Sequence, residues 1–118
     1  MLYRQLGRNN DASQVLLAAI QVSPRDAGLH HALGLALVRA KRLDGAVTEL
    51  RQAAELDPDQ ARYTYVDAVA LNSTGRKDEA IDTLKESLTR HPNDRDTLMA
   101  LISFYRDAGK LEIRAPIR

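Results

Sequence analysis

Cysteine is absent from the 118 residues. That excludes disulfides, thiolate zinc sites, iron–sulfur clusters and cysteine nucleophiles. Tryptophan is also absent and there is one phenylalanine, so the interior must be packed with aliphatic side chains. Four prolines and six glycines are too few for a loop-rich fold. Neither sign of charge dominates: 17 Lys and Arg stand against 16 Asp and Glu, a formal net charge of +1. This balance carries no nucleic-acid footprint and no strong attraction to an anionic membrane. No apolar run approaches the length of a membrane span. The opening MLYRQLGRNN lacks the apolar stretch that follows the basic start of a secretory signal. Localisation stays unassigned between cytoplasm and periplasm, since proteins of both can lack cysteine.

What is present is a period. Pro24, Pro58 and Pro92 are each separated by 34 residues. Sliding the chain by that interval brings further columns into phase. Ala12, Ala46 and Ala80 form one, Leu16, Leu50 and Leu84 another, and Ala19, Ala53 and Ser87 a small-residue column. Tyr3, Leu37, Leu71 and Tyr105 are large and apolar. Gly7, Gly75 and Gly109 share a column in which Lys41 is the exception, and the next column is basic: Arg8, Arg42, Arg76 and Lys110.

Each unit reads as two helices. Leu29, Ala32, Leu33, Ala36, Leu37 and Ala40 fall on one helical face, and so do Ala46, Val47, Leu50, Ala53 and Ala54. Asp44 and Asp78 stand where an N-cap acceptor is expected. The glycine column suits a left-handed residue after the first helix, and the prolines stop the second. First helices are predicted near 28–40, 62–74 and 96–108, and second helices near 10–22, 44–56 and 78–90.

A 34-residue helix–turn–helix unit carrying Leu33-Gly34, Leu37, Ala46, Leu50, Ala53 and Pro58, then Ala68, Leu71, Ala80, Leu84 and Pro92, resembles the tetratricopeptide repeat. The usual early aromatic of the first helix is replaced by His30, Thr64 and Leu98. The resemblance covers nearly the whole chain and implies an all-α, right-handed superhelical solenoid of antiparallel helix pairs. It divides the single domain into a partial repeat (1–26, the tail of a first helix plus its partner), full repeats (27–60 and 61–94), and a partial repeat with an atypical tail (95–118). Arg114 and Pro116 fall where another second helix would run, so that helix is expected to be missing and the chain to be a slice of a longer array or to end in a foreign tail.

Catalytic chemistry finds no constellation. His30 and His31 are neighbours about 100° apart on a helix and do not chelate one metal, and His91 precedes a turn proline. There is no phosphate loop, and the carboxylates are dispersed, so neither enzyme activity, cofactor nor metal is expected. The resemblance instead implies a protein or peptide partner held along the first helices. By column, its groove is formed by His31, Tyr65 and Met99, then Leu35, Val69 and Ser103. Arg4, Val38, Asn72 and Arg106 follow, with Gln5, Arg39, Ser73 and Asp107 beside them and Arg62 at the mouth. Tyr65 is the expected anchor, and Arg39, Arg62 and Arg106 the groups that select a carboxylate. Some members grip a partner's C-terminal carboxylates with Lys, Asn and Arg from these columns; that basic clamp is missing.

Two further expectations concern packing. Asp67 occupies the buried column of Leu33 and Leu101 and needs a hydrogen-bonding partner or solvent. Val15, Leu17, Ala18 and Val22 make the early helix apolar nearly all round, and Leu101, Phe104 and Tyr105 lack a covering second helix. Self-association as a two-fold homodimer through Val15, Leu17, Ala18, Val22 and Phe104, or through tail residues such as Ile113 and Ile117, would cover these ends. The alternative to a groove-binding scaffold is therefore an assembly module that stacks through its terminal repeats.

Overall fold

The period resolves into antiparallel helix pairs. In a computed structural model the backbone is described for residues 2–109 and the side chains for 11–109. The helices are α1 (Leu2–Val22), α2 (Ala27–Arg39), α3 (Leu43–Leu56), α4 (Ala61–Ser73), α5 (Lys77–Arg90) and α6 (Arg95–Asp107). No strand occurs among the described residues. Each helix packs on its neighbours in chain order, and α4 also meets α6, so these two first helices lie side by side. The result is a slab of 57 × 33 × 19 Å, the open shape of a stacked array.

The core lies among α3, α4 and α5, where Ala46, Val47, Leu50, Ala68, Leu71, Ala80 and Leu84 are buried together. Leu101 and Phe104 of α6 lean against it. Small residues set the spacing of the pairs. A Cβ on Gly34 would lie 2.5 Å from Leu50 Cδ2, so α2 and α3 approach as they do because Gly34 has no side chain.

The helix-to-helix turns are built alike. Arg42 N–H donates to Leu37 O and Lys41 N–H to Val38 O. In the next unit Arg76 N–H donates to Leu71 O and Gly75 N–H to Asn72 O. This paired pattern is the Schellman closure, which places its C′ residue in the left-handed region. Gly75 (φ 86°) and Gly109 (φ 71°) occupy it at no steric cost, whereas Lys41 (φ 62°) does so with a side chain.

Two expectations are corrected. Residues 2–22 form one continuous helix rather than a helix tail, a turn and a second helix. A glycine inside a helix costs only about 1 kcal/mol, too little by itself to break one. Asp44 and Asp78 are not caps: the capping positions are Arg42 and Arg76, which make no side-chain capping bond. The two acids lie in the first turn instead, where their charge favours the helix dipole. Side-chain caps come from Asp26, which accepts from Leu29 N–H, and Asp94, which accepts from Thr97 N–H and Oγ1. On α1, Val15 and Val22 are 67% and 83% exposed. The side chains of Arg4 and Gln5, and the tail with Arg114, Pro116, Ile113 and Ile117, lie outside the described residues.

Candidate functional site

The groove columns fall on one face of α4. At about 100° per residue, Arg62, Tyr65, Val69 and Asn72 share a stripe, while Asp67 points the opposite way. Tyr65 and Asn72 are half-buried and Val69 is 38% exposed. Asn72 Oδ1 accepts from Lys77 Nζ at 3.4 Å. On α6, Met99 is 58% exposed, Ser103 half-buried and Arg106 exposed. On α2, His31 and Leu35 are half-buried and Arg39 is exposed. The face thus carries apolar surface in the middle and free-standing guanidinium groups around it.

The structure ties α2 to α4 through a residue that column reasoning passed over. The His31 ring stacks on Tyr63, with centroids 4.6 Å apart and planes inclined by 32°. Burial, and then the nearby Arg62 charge, push the His31 pKa below 6.5, so the ring is neutral at physiological pH. Its Nδ1 is buried without a hydrogen-bond partner in the protein. His31, Tyr63 and Arg62 therefore form one cluster at the α2–α4 seam. The hint in the sequence was a second aromatic two residues before Tyr65.

His30 faces the other way and is buried between repeats. Its Nδ1 lies 2.8 Å from Glu49 Oε1 and its Nε2 2.8 Å from the Pro24 carbonyl. Burial works against a charge on the ring. The Glu49 hydrogen bond, the Pro24 carbonyl and the Glu49 and Asp26 charges outweigh it and hold the pKa above 6.5. With an acceptor at each nitrogen, the imidazolium form is the one that satisfies both contacts.

Asp67 is 3% exposed. Its Oδ2 lies 4.0 Å from Arg51 Nε, an ion pair too long to be the expected hydrogen bond, and Oδ1 has no partner within the protein. Burial raises its pKa from 3.8 to about 6; Arg51 opposes the shift, and Glu79 and Glu55 add to it. The Arg51 guanidinium is shared, with Nη2 2.6 Å from Glu79 Oε2.

Of the proposed self-association residues, Val15, Leu17, Ala18 and Val22 are exposed, whereas Phe104 is half-buried against the core. Among the described residues, no group of three or more His, Asp or Glu side chains is placed to hold a metal ion. None of the described helices is long and apolar enough to cross a membrane.

Comparisons with known proteins agree with this architecture. A family model described as tetratricopeptide repeat matches residues 31–95, and a second, described as TPR repeat, matches residues 2–41. Interferon-induced protein with tetratricopeptide repeats 3 from Mus musculus is 28% identical over 109 residues, covering 90% of this chain and 27% of its own length. Superkiller protein 3 from Schizosaccharomyces pombe is 29% identical over 94 residues, 80% of this chain and 7% of its own length. The chain therefore spans a small part of either relative. Among solved structures, the crystal structure of MamA superposes with a TM-score of 0.78 at 22% identity, covering 92% of this chain and 63% of that one. The first TPR of Spaghetti, bound to the HSP90 peptide SRMEEVD, superposes with a TM-score of 0.75 at 17% identity, covering 91% and 85%. At those identities the likeness is one of fold.

Proposed function

Because the chain belongs to the tetratricopeptide repeat family, whose fold is a protein–protein interaction module and whose scaffolds are generally non-catalytic, we propose that it is a non-enzymatic scaffold. Its partner is a peptide or protein segment lying along α2, α4 and α6. The observation that carries this reading is the apolar strip beside arginines: Val69 and Met99 reach solvent next to half-buried Tyr65 and Leu35, with Arg39, Arg62 and Arg106 exposed around them. A contiguous strip of this kind marks contact surfaces, and large rigid aromatics anchor them. The arginines favour a segment bearing carboxylates. That a protein of the same fold is bound to a peptide supports a peptide as the class of ligand, not its sequence.

The test is a selection of seven- to twelve-residue peptides from a displayed library on the 118-residue chain. Selected peptides should combine an apolar anchor with acidic residues. Tyr65→Ala should weaken their binding about tenfold or more, with little change in melting temperature. Equal binding by the variant, or unfolding of it, would overturn the assignment of Tyr65.

A second reading rests on α1. Val15, Ala18 and Val22 share one exposed stripe of α1, with Leu17 exposed on the opposite face, and burying one large apolar side chain fully is worth roughly 1.5–3 kcal/mol. A second copy packed there by two-fold symmetry makes the chain an assembly module. Sedimentation should then show a concentration-dependent dimer that Val15→Glu with Leu17→Lys shifts to monomer. A concentration-independent monomer rejects it.

A further inference from the structure

The two full repeats use one position in opposite ways, and the difference leaves a cleft. In the first, His30 fills the space between helix pairs and reaches Glu49 and the Pro24 carbonyl. Thirty-four residues on, the corresponding residues are Thr64, Thr83 and Pro58. All three line a cleft of about 380 Å³ between α3 and α5, on the side of α4 away from the groove. Small-ligand sites range over roughly 300–1,000 Å³, so this volume suffices for a side chain or small metabolite.

The cleft is built to receive positive charge. Two polar side chains that line it are more than nine-tenths buried and retain an atom with no partner in the protein: Asp67 Oδ1 and Ser87 Oγ. Glu55, Glu79, Asp82 and Glu86 line it as well. Two arginines are present, but both are engaged: Arg51 with Glu79 and Asp67, and Arg90 with Asp59. Metal chemistry is disfavoured by geometry, since no three carboxylates among the described residues converge on one point. A planar organic cation matches better. It offers several N–H donors to dispersed acceptors, as His30 does in the first repeat.

We propose that the cleft formed by Thr64, Asp67, Thr83 and Ser87 is a binding site for an alkyl guanidinium group. The group enters from the α3–α5 side, places its N–H donors on Asp67 Oδ1 and Ser87 Oγ, and lays its alkyl stem against Ala54. This site is separate from the peptide groove, and either can fail without the other.

The experiment is an NMR titration of the 118-residue chain with two guanidinium probes. Agmatine represents a free metabolite, and N-acetyl-arginine-N-methylamide represents a polypeptide side chain. Butylurea is the uncharged control. At least one guanidinium probe should give saturable shifts at Thr64, Asp67, Thr83 and Ser87 with Kd of about 1 mM or tighter, and butylurea should not. Binding of agmatine alone identifies a free ligand; binding of the arginine amide alone identifies a partner's side chain. Asp67→Asn should weaken binding about tenfold or more. Thr64→His with Thr83→Glu transplants the first repeat's solution and should abolish binding while raising the melting temperature. The proposal is overturned if neither probe saturates by about 10 mM, if butylurea binds equally, or if the transplant folds and still binds.

Discussion

Repeats 27–60 and 61–94 share a backbone and differ in how they treat polar groups between their helices. The first buries Leu33 and satisfies His30 at both nitrogens. The second places Asp67 in the leucine column and Ser87 in the alanine column, each with an unpartnered oxygen. The lesson is that the 34-residue frame is held by a few positions, Leu50, Leu71 and Leu84 among them, while others are free to carry chemistry. A buried carboxylate with incomplete pairing opposes stability. Its presence is better explained by use than by folding.

The comparison can be broken most severely by copying the second repeat into the first. Leu33→Asp puts a carboxylate where the residue 34 positions before Arg51 is Leu17, so no cation is supplied. Denaturant unfolding should show a loss of roughly 3–5 kcal/mol, the cost of an unpaired buried charge. The reciprocal change, Asp67→Leu, should be neutral or stabilising at pH 7. A loss above about 2 kcal/mol in that variant would place Asp67 in a satisfied network instead.

The same asymmetry predicts a pH dependence. Asp67 has a folded pKa near 6, above its unfolded 3.8. The folded state therefore holds the proton more tightly, and stability falls as pH rises from about 4 to about 6, then levels. His30 is raised above 6.5, so its contribution is complete below 6.5 and is lost as pH rises through the folded value. These two act in one direction, and His31, held below 6.5, acts against them. The readout is therefore the difference between the parent chain and each variant, to which Asp67 contributes about 1 kcal/mol between pH 5 and pH 8. Asp67→Leu should remove the part of this slope below pH 6, and His30→Gln the part above it. A profile left unchanged in slope by both substitutions would contradict both assignments.

The smallest expected effect sharpens the turn. Lys41 occupies the left-handed position that Gly75 and Gly109 fill in the other turns. Lys41→Gly should stabilise by roughly 1 kcal/mol in thermal unfolding, and Gly75→Lys should destabilise by a similar amount.

The period alone located α2 to α6 to within a residue or so, because proline and glycine columns punctuate the chain where backbone geometry demands it. The solenoid class followed from the paired apolar stripes. Other features depend on distances between elements that no local pattern encodes. The His31–Tyr63 stack exists because α2 and α4 lie at one particular spacing. The state of Asp67 depends on Arg51, sixteen residues earlier in another helix pair. Capping was misplaced by two residues because Asp44 and Asp78 satisfy the dipole as well as a cap does. Continuity of α1 was missed because glycine marks a turn only where packing completes it.

The central claim is that the face of α2, α4 and α6 is where this scaffold meets its partner. Chemical-shift mapping with a selected acidic peptide tests it most directly. The largest perturbations are expected at His31, Leu35, Tyr65, Val69, Met99 and Ser103, with α3 and α5 little changed. Perturbations confined to α1, or to the outer surfaces of α3 and α5, would contradict it.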